Sequence, residues 1–217
     1  MNHKIIPWLM LAAVLYVAGC AQAPMSAQIN RFDPQLQPPY TKTFIQGGET
    51  YITYENLNYK ISAALFEYQS IIVLPLEIFN HTAFEIRPEE YVVSLHDGRD
   101  LKPIKMLTRT DLQAARSKLG GGGGSSGGIQ QQLIESTLNA IMEATNVSSK
   151  NTMIKSIDIA IDNYFQLRPI YAGEKREGIL CFLVDFKLEY PITLMVKLKG
   201  EEIKLKFMPQ MKKEVKT

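Results

Sequence analysis

Gly178-Ile179-Leu180-Cys181-Phe182-Leu183-Val184-Asp185-Phe186 is a near-continuous apolar run. Successive side chains of a strand point to opposite faces, so a run of this kind belongs to a strand covered on both sides, central in its sheet. That requirement constrains the rest of the chain: it must supply neighbouring strands and material to pack above and below. Within this run Cys181 reads as a small buried hydrophobe with an inert thiol.

The neighbours are legible as short β-rich runs. Thr50 to Glu55, Tyr59 to Tyr68 and Ile71 to Phe79 are rich in β-branched and aromatic residues, with Ala63-Ala64 weakening the second. Pro75, inside the third, predicts an edge position or a bulge because proline has no N–H to donate. Tyr91 to Leu95 runs into His96-Asp97-Gly98-Arg99, where Asp-Gly predicts a tight hairpin whose glycine takes a positive φ, with Leu101 to Leu107 returning past Pro103. Pro191 to Leu198, the turn Lys199-Gly200-Glu201 and the alternating Ile203-Lys204-Leu205-Lys206-Phe207 complete the β pattern. Strands at this spacing predict a mainly β domain over 47–210, an immunoglobulin-like antiparallel β-sandwich of two sheets.

An insertion over 108–165 interrupts the strands. Asp111 to Arg116 predicts a short helix capped by Thr110 or Asp111. Gly120 to Gly128 is a flexible glycine-serine run, after which Ile129, Leu133, Ile134, Leu138, Ile141 and Met142 recur at helical spacing. Met153, Ile154, Ile157, Ile161, Tyr164 and Phe165 form a second amphipathic segment, with Asn151 or Thr152 as its cap and a strand over 157–161 as the alternative. These helices are expected to pack on the sandwich, or to frame an apolar pocket formed by residues such as Leu133, Leu138, Ile157 and Phe165.

The chain opens with the parts of a secretory signal. Lys4 precedes an apolar stretch from Ile5 to Ala18, broken by Pro7 and short of the roughly 20 residues that cross a bilayer core. Val17-Ala18-Gly19-Cys20, directly after it, resembles the bacterial lipobox. The resemblance implies a signal peptide over 1–19, cleavage before Cys20, and acylation of that cysteine with lipid such as palmitate. Ala21 stands where the Gram-negative pattern uses aspartate to retain lipoproteins in the inner membrane. The resemblance therefore implies the cell outer membrane, with the lipoprotein on its periplasmic face. Two or more acyl chains give stable anchoring where one is marginal. Residues 20–46, rich in Gln, Pro, Ala and Ser, read as a lipidated N-terminus and flexible tether, and 211–217 as a basic solvated tail.

After residues 1–19, 198 of the 217 residues remain, and loss of the leader's single lysine leaves 23 of 24 basic side chains against 22 acidic ones. That balance argues against nucleic acid as a partner. Gly123-Gly124-Ser125-Ser126-Gly127 fits the nucleophile elbow, but the elbow needs a strand before it and a histidine after it, and the sequence offers neither. Gly122, Gly124 and Gly127 fit the dinucleotide fingerprint without its strand–helix context. His81, His96, Asp97 and Asp100 have no recognised metal-ligand spacing and read as loop residues. Asn80-His81-Thr82 and Asn146-Val147-Ser148 match the glycosylation pattern, which carries little weight in a bacterium. The expectation is of no cofactor, no metal and no enzymatic site.

Asp97-Gly98, the short helix, the glycine run, and Ala172-Gly173-Glu174 leading to Glu177-Gly178-Ile179-Leu180-Cys181-Phe182 together resemble a group of bacterial envelope lipoproteins that share GE-x-x-x-G before a hydrophobic strand. The resemblance spans 90–207 and implies the architecture without an activity. The function expected is therefore a membrane-anchored structural or protein-interaction role, as an accessory or assembly factor for other envelope proteins. The alternative is a small-ligand or lipid-binding module using the pocket described above.

Overall fold

A computed structural model describes residues 29–46, 49–68, 71–119, 147–184 and 189–210. The described residues are mainly β, with eleven strands in one connected antiparallel sheet. The centre is β6 (Ile71–Asn80), hydrogen-bonded along its length to β9 (Lys175–Leu183). On its other side β6 pairs β5 (Phe66–Tyr68) near its start and β4 (Tyr59–Ala63) near its end.

The sheet closes on itself. β5 pairs the first residues of β1 (Ile29–Gln35), and from Phe32 onward β1 pairs β11 (Glu201–Pro209) instead. β11 pairs β10 (Ile192–Leu198), which pairs β7 (Tyr91–Asp97). β7 joins the chain entering β8 (Lys105–Leu107): the Ile104 N–H donates to the Leu95 carbonyl at 2.7 Å and the Asp97 N–H to Lys102 at 3.0 Å. β8 pairs β9 and completes the ring. The outcome is an eight-stranded antiparallel barrel rather than the immunoglobulin-like sandwich expected. The inward alternation of a sandwich and of a small barrel is the same; what differs is whether the corners are bonded, and here both are.

Side chains fill the barrel. Leu74, Leu76 and Ile78 of β6 face Leu180 and Phe182 of β9 and Leu194, Leu205 and Phe207 across the interior, all at most 2 % exposed. The opposite face of β9 carries Cys181 and Leu183, and it is covered by the two helices described, α1 (Arg109–Leu119) and α2 (Val147–Asp162). Leu112, Ala115 and Leu119 of α1 recur at helical spacing, and Ile157 and Ala160 of α2 join them. The apolar run is thus a strand buried on both faces, as its composition requires. It starts at Gly178 because the helices stop there: Lys175 and Glu177 face outward beyond them and pair at 2.8 Å.

Several local expectations are corrected. Among the described residues the sheet begins at Ile29, so β1 and β2 (Thr41–Gln46) lie inside the stretch read as a tether over 20–46, and the strands of the barrel and flap already occur before the boundary expected at 47. Pro75 is neither at an edge nor disruptive: its carbonyl faces the break between β4 and β5, where it accepts the Ala64 N–H at 3.3 Å, and the missing donor falls where pairing is already interrupted. The α1 cap is Thr108, whose hydroxyl accepts the Asp111 N–H at 3.1 Å while the Asp111 carboxylate accepts the Thr108 N–H at 2.8 Å. Residues 157–161 are helical, and the second helix begins before Asn151. The insertion contributes two described helices, of 11 and 16 residues, and the glycine run and the segment 129–144 lie outside the described residues, as does 211–217.

The Asp97-Gly98 hairpin forms, for another reason than positive φ. Leu101 carries it, at +55°, and Gly98 is needed because a Cβ there would lie 2.2 Å from the Pro191 carbonyl oxygen. Lys199 and Gly200 do take positive φ, +47° and +88°, and Leu198 pairs Glu201 across them, the signature of a type I′ turn.

Gly178 holds the end of α2 against the barrel. Ile179 donates its N–H to Asn163 at 2.7 Å and accepts that of Phe165 at 3.0 Å, which drops the Phe165 ring into the core. A Cβ on Gly178 would lie 2.6 Å from the Phe165 Cα. Gly178→Ala is expected to destabilise the fold by about 1–3 kcal/mol. Urea unfolding should show a lower midpoint with unchanged slope; an unshifted midpoint would contradict this packing.

Candidate functional site

Every strand of the ring has a partner on both sides. The sheet nevertheless continues out of the barrel: β4 pairs β3 (Glu49–Glu55), β3 pairs β2, and β2 ends the series. These strands form a flap. β3 contributes Ile52 to the core, and the buried hydroxyls of Thr53 and Ser62 satisfy each other at 3.0 Å between β3 and β4. β2 lies past the covered region, with residues 42–46 exposed, including Phe44 and the 76 %-exposed Ile45.

The bonding parity of β2 follows from one hydrogen bond. The Glu55 N–H donates to the Tyr40 carbonyl at 2.9 Å, and Thr41 is opposite Tyr54 in the register. Main-chain groups alternate sides along a strand, so Lys42, Phe44 and Gln46 turn theirs toward β3, and Thr41, Thr43 and Ile45 turn theirs outward. No main-chain partner meets those outward groups among the described residues. The side chains on the Phe44 face are organised: Phe44 stacks on Tyr51 with centroids 5.2 Å apart, and Lys42 donates to Glu55 at 3.0 Å. That bond holds the Glu55 carboxyl below its usual range.

A groove of about 380 Å³ lies where the flap meets β11, lined by Gln37, Pro38, Tyr40, Thr41, Tyr54 and residues 202–204. Tyr40 and Tyr54 pack with ring centroids 5.8 Å apart. The Tyr54 hydroxyl and the Asn56 amide both donate to Glu201, at 3.0 and 2.8 Å. Burial, then the Glu201 carboxylate, raises the Tyr54 pKa, so the phenol stays a donor. Glu202 is paired with Lys197 and Lys204 at 3.1 and 2.8 Å. The arrangement offers aromatic faces and hydrogen-bonding groups for contact.

The residues singled out from sequence fall elsewhere. Val17, Ala18, Gly19 and Cys20 lie outside the described residues, as do Ser125, the other glycine-run positions, Asn146, Leu133 and Leu138. Ile157 packs under the helices while Phe165 is inside the barrel, so they belong to separate clusters and do not line one pocket. His81 lies 3.9 Å from Glu55 and packs on Phe79. His96 bonds Ser94 and the Leu101 carbonyl within its hairpin, Asp97 accepts the Arg99 N–H, and Asp100 pairs Lys102. No group of three or more His, Cys, Asp and Glu side chains suited to a metal comes together among the described residues.

Asn80 is fully buried rather than displayed as a glycosylation acceptor. Its amide donates to Phe84, Ile170 and Tyr171 carbonyls and its oxygen accepts from Thr82. Beside it Gly173, at φ +71°, donates to the Asn80 carbonyl, and Glu174 pairs the buried Arg176 at 2.8 Å. The GE-x-x-x-G pattern is therefore structural: the glycines permit one turn and one close approach, and the glutamate neutralises a buried guanidinium. Sequence reading missed β2. Its signal was Thr41, Thr43, Phe44 and Ile45 gathered after Pro38-Pro39, a β-branched and aromatic cluster behind a turn.

No family model matches the sequence, and no curated protein is similar to it.

Burial pushes the Cys181 thiol up to about 12. A thiol with a raised pKa carries almost no thiolate at pH 8. In a Cys20→Ala chain, where Cys181 is the remaining cysteine, a disulfide-exchange reagent is expected to label no thiol while the protein is folded and one equivalent in urea. Rapid labelling of the native chain would contradict the burial of this strand.

Proposed function

We propose that the chain is a bacterial envelope lipoprotein with a non-enzymatic, protein-interaction role, held to the outer membrane through Cys20 and presenting the β2 flap to a protein partner on the periplasmic side. The observation that carries the interaction role is the outward edge of β2: among the described residues β2 is the end strand of the sheet, paired on one side alone, and its edge is beside exposed Phe44 and Ile45. An edge with open N–H and C=O groups binds an extended segment by strand addition, the main chain giving affinity and alternate side chains giving selectivity. The lipobox supports the anchor, and the tether in this reading is the shorter stretch before Ile29.

The test uses the full chain in its envelope. Palmitate label is expected on the wild type and absent from Cys20→Ala. A photo-crosslinking amino acid at Phe44 is expected to give a discrete protein adduct that the same amino acid at the exposed barrel position Lys197 does not give. The adduct should fall by at least about tenfold in Cys20→Ala if the anchor delivers the flap to its partner. Unchanged palmitate labelling in Cys20→Ala would defeat the anchor, and equal adducts at Phe44 and Lys197 would defeat the flap.

A further inference from the structure

The edge of β2 is complementary to itself, and the geometry points to a second copy of this chain as its occupant. The inference rests on the reading of the flap as an interaction surface and names the partner. The outward groups are the N–H and C=O of Thr41, Thr43 and Ile45, spaced two apart and centred on Thr43. When two such edges meet antiparallel about a two-fold axis through Thr43, Thr43 faces Thr43 and each Thr41 faces an Ile45. Each strand then offers three donors and three acceptors, and the pair closes six main-chain hydrogen bonds with none left over.

Side chains agree with that register. On one face Thr43 meets Thr43 and Thr41 meets Ile45, so Ile45, 76 % exposed in the single chain, gains an apolar methyl neighbour. On the other face each Lys42 falls opposite a Phe44, an ammonium beside an aromatic ring, and the two lysines are offset from each other. Lys42 is already held by Glu55, so its charge does not block the edge. Two of the devices that protect edges are absent from the strand: it contains no proline, and its register against β3 runs without a bulge from Thr41 to Gln46. An isologous two-fold contact of this kind is closed and joins the two flaps into one continuous sheet.

The register gives the experiment. Directly opposed residues of a hydrogen-bonded antiparallel pair have Cα atoms about 5.5 Å apart, within reach of a disulfide. Thr41 and its own copy would be offset by four residues, roughly 14 Å, as would Ile45 and its copy. In detergent-solubilised full chain carrying Cys20→Ala, copper-phenanthroline oxidation is expected to convert most of the Thr43→Cys protein to a dimer. Thr41→Cys alone and Ile45→Cys alone should stay at the Cys20→Ala background, and the Thr41→Cys/Ile45→Cys double variant should crosslink. Circular dichroism of each variant should match the parent, since Thr43 and Ile45 are exposed and the half-buried Thr41 gives up only its hydroxyl contact with the Gln37 N–H. A Thr43→Cys chain that stays at background, or single variants that crosslink as readily as Thr43→Cys, would overturn the two-fold pairing. If Thr43→Cys stays monomeric while Phe44 still gives an adduct with a different protein, the second copy is excluded and the flap remains an interaction surface; if neither forms, both fail.

Discussion

Closure of the sheet is the constraint on which the rest of the structure depends. Antiparallel strands expose a row of N–H and C=O groups at each unpaired edge, and bonding edge to edge is what removes that liability. Here closure needs two joints. β1 leaves β5 after Arg31 and takes up β11 at Phe32. The chain after the Asp97-Gly98 turn bonds β7 before becoming β8. Both joints are short, and the second is set by chain geometry: Leu101 in the left-handed region and Gly98 against the Pro191 carbonyl let its hairpin fit.

Once the ring is closed, the remaining features follow. An eight-stranded barrel is just wide enough to be filled by side chains, so Phe182, Leu194 and Phe207 occupy its interior. The outer face of β9 and the start of β6 stay apolar and must be covered, which is the task of α1 and α2. Their register on the wall is set by Ile179 bonding Asn163 and Phe165, and that contact requires a residue without Cβ at Gly178. The flap is the part of the sheet that closure does not use, because β6 pairs β5 in one half and β4 in the other, and β4 leads outward to β3 and β2.

Much of this was legible in the residues. The two-sided burial of β9, the hairpin at Asp97-Gly98, the turn at Lys199-Gly200-Glu201 and the alternation of β11 all follow from local pattern. Closure was not, because Phe207 points inward and Lys206 outward in a sandwich and a barrel alike; only long-range pairing separates them. β1 and β2 were hidden by composition. Among residues 31–35 of β1 only Phe32 is a buried apolar side chain, and residues 42–46 are all exposed, so neither stretch carries the repeated apolar alternation by which a half-buried strand is read from sequence. The candidate surface was unreadable for the same reason, since a free edge is a property of topology and not of any residue type. Asn80 is the converse case: the asparagine of its acceptor motif is fully buried, with both its side-chain amide and its oxygen bonded.

The closing joint is where the account is most directly tested. Amide exchange of the full chain, resolved by residue, should find the Ile104 and Asp97 amides as protected as those of Leu194 and Leu205 in the neighbouring strands, because all four donate within one closed sheet. Exchange of Ile104 and Asp97 at the rate of the exposed loop around Arg99, with β10 and β11 still protected, would mean a sheet left open between β7 and β8 and contradict the barrel.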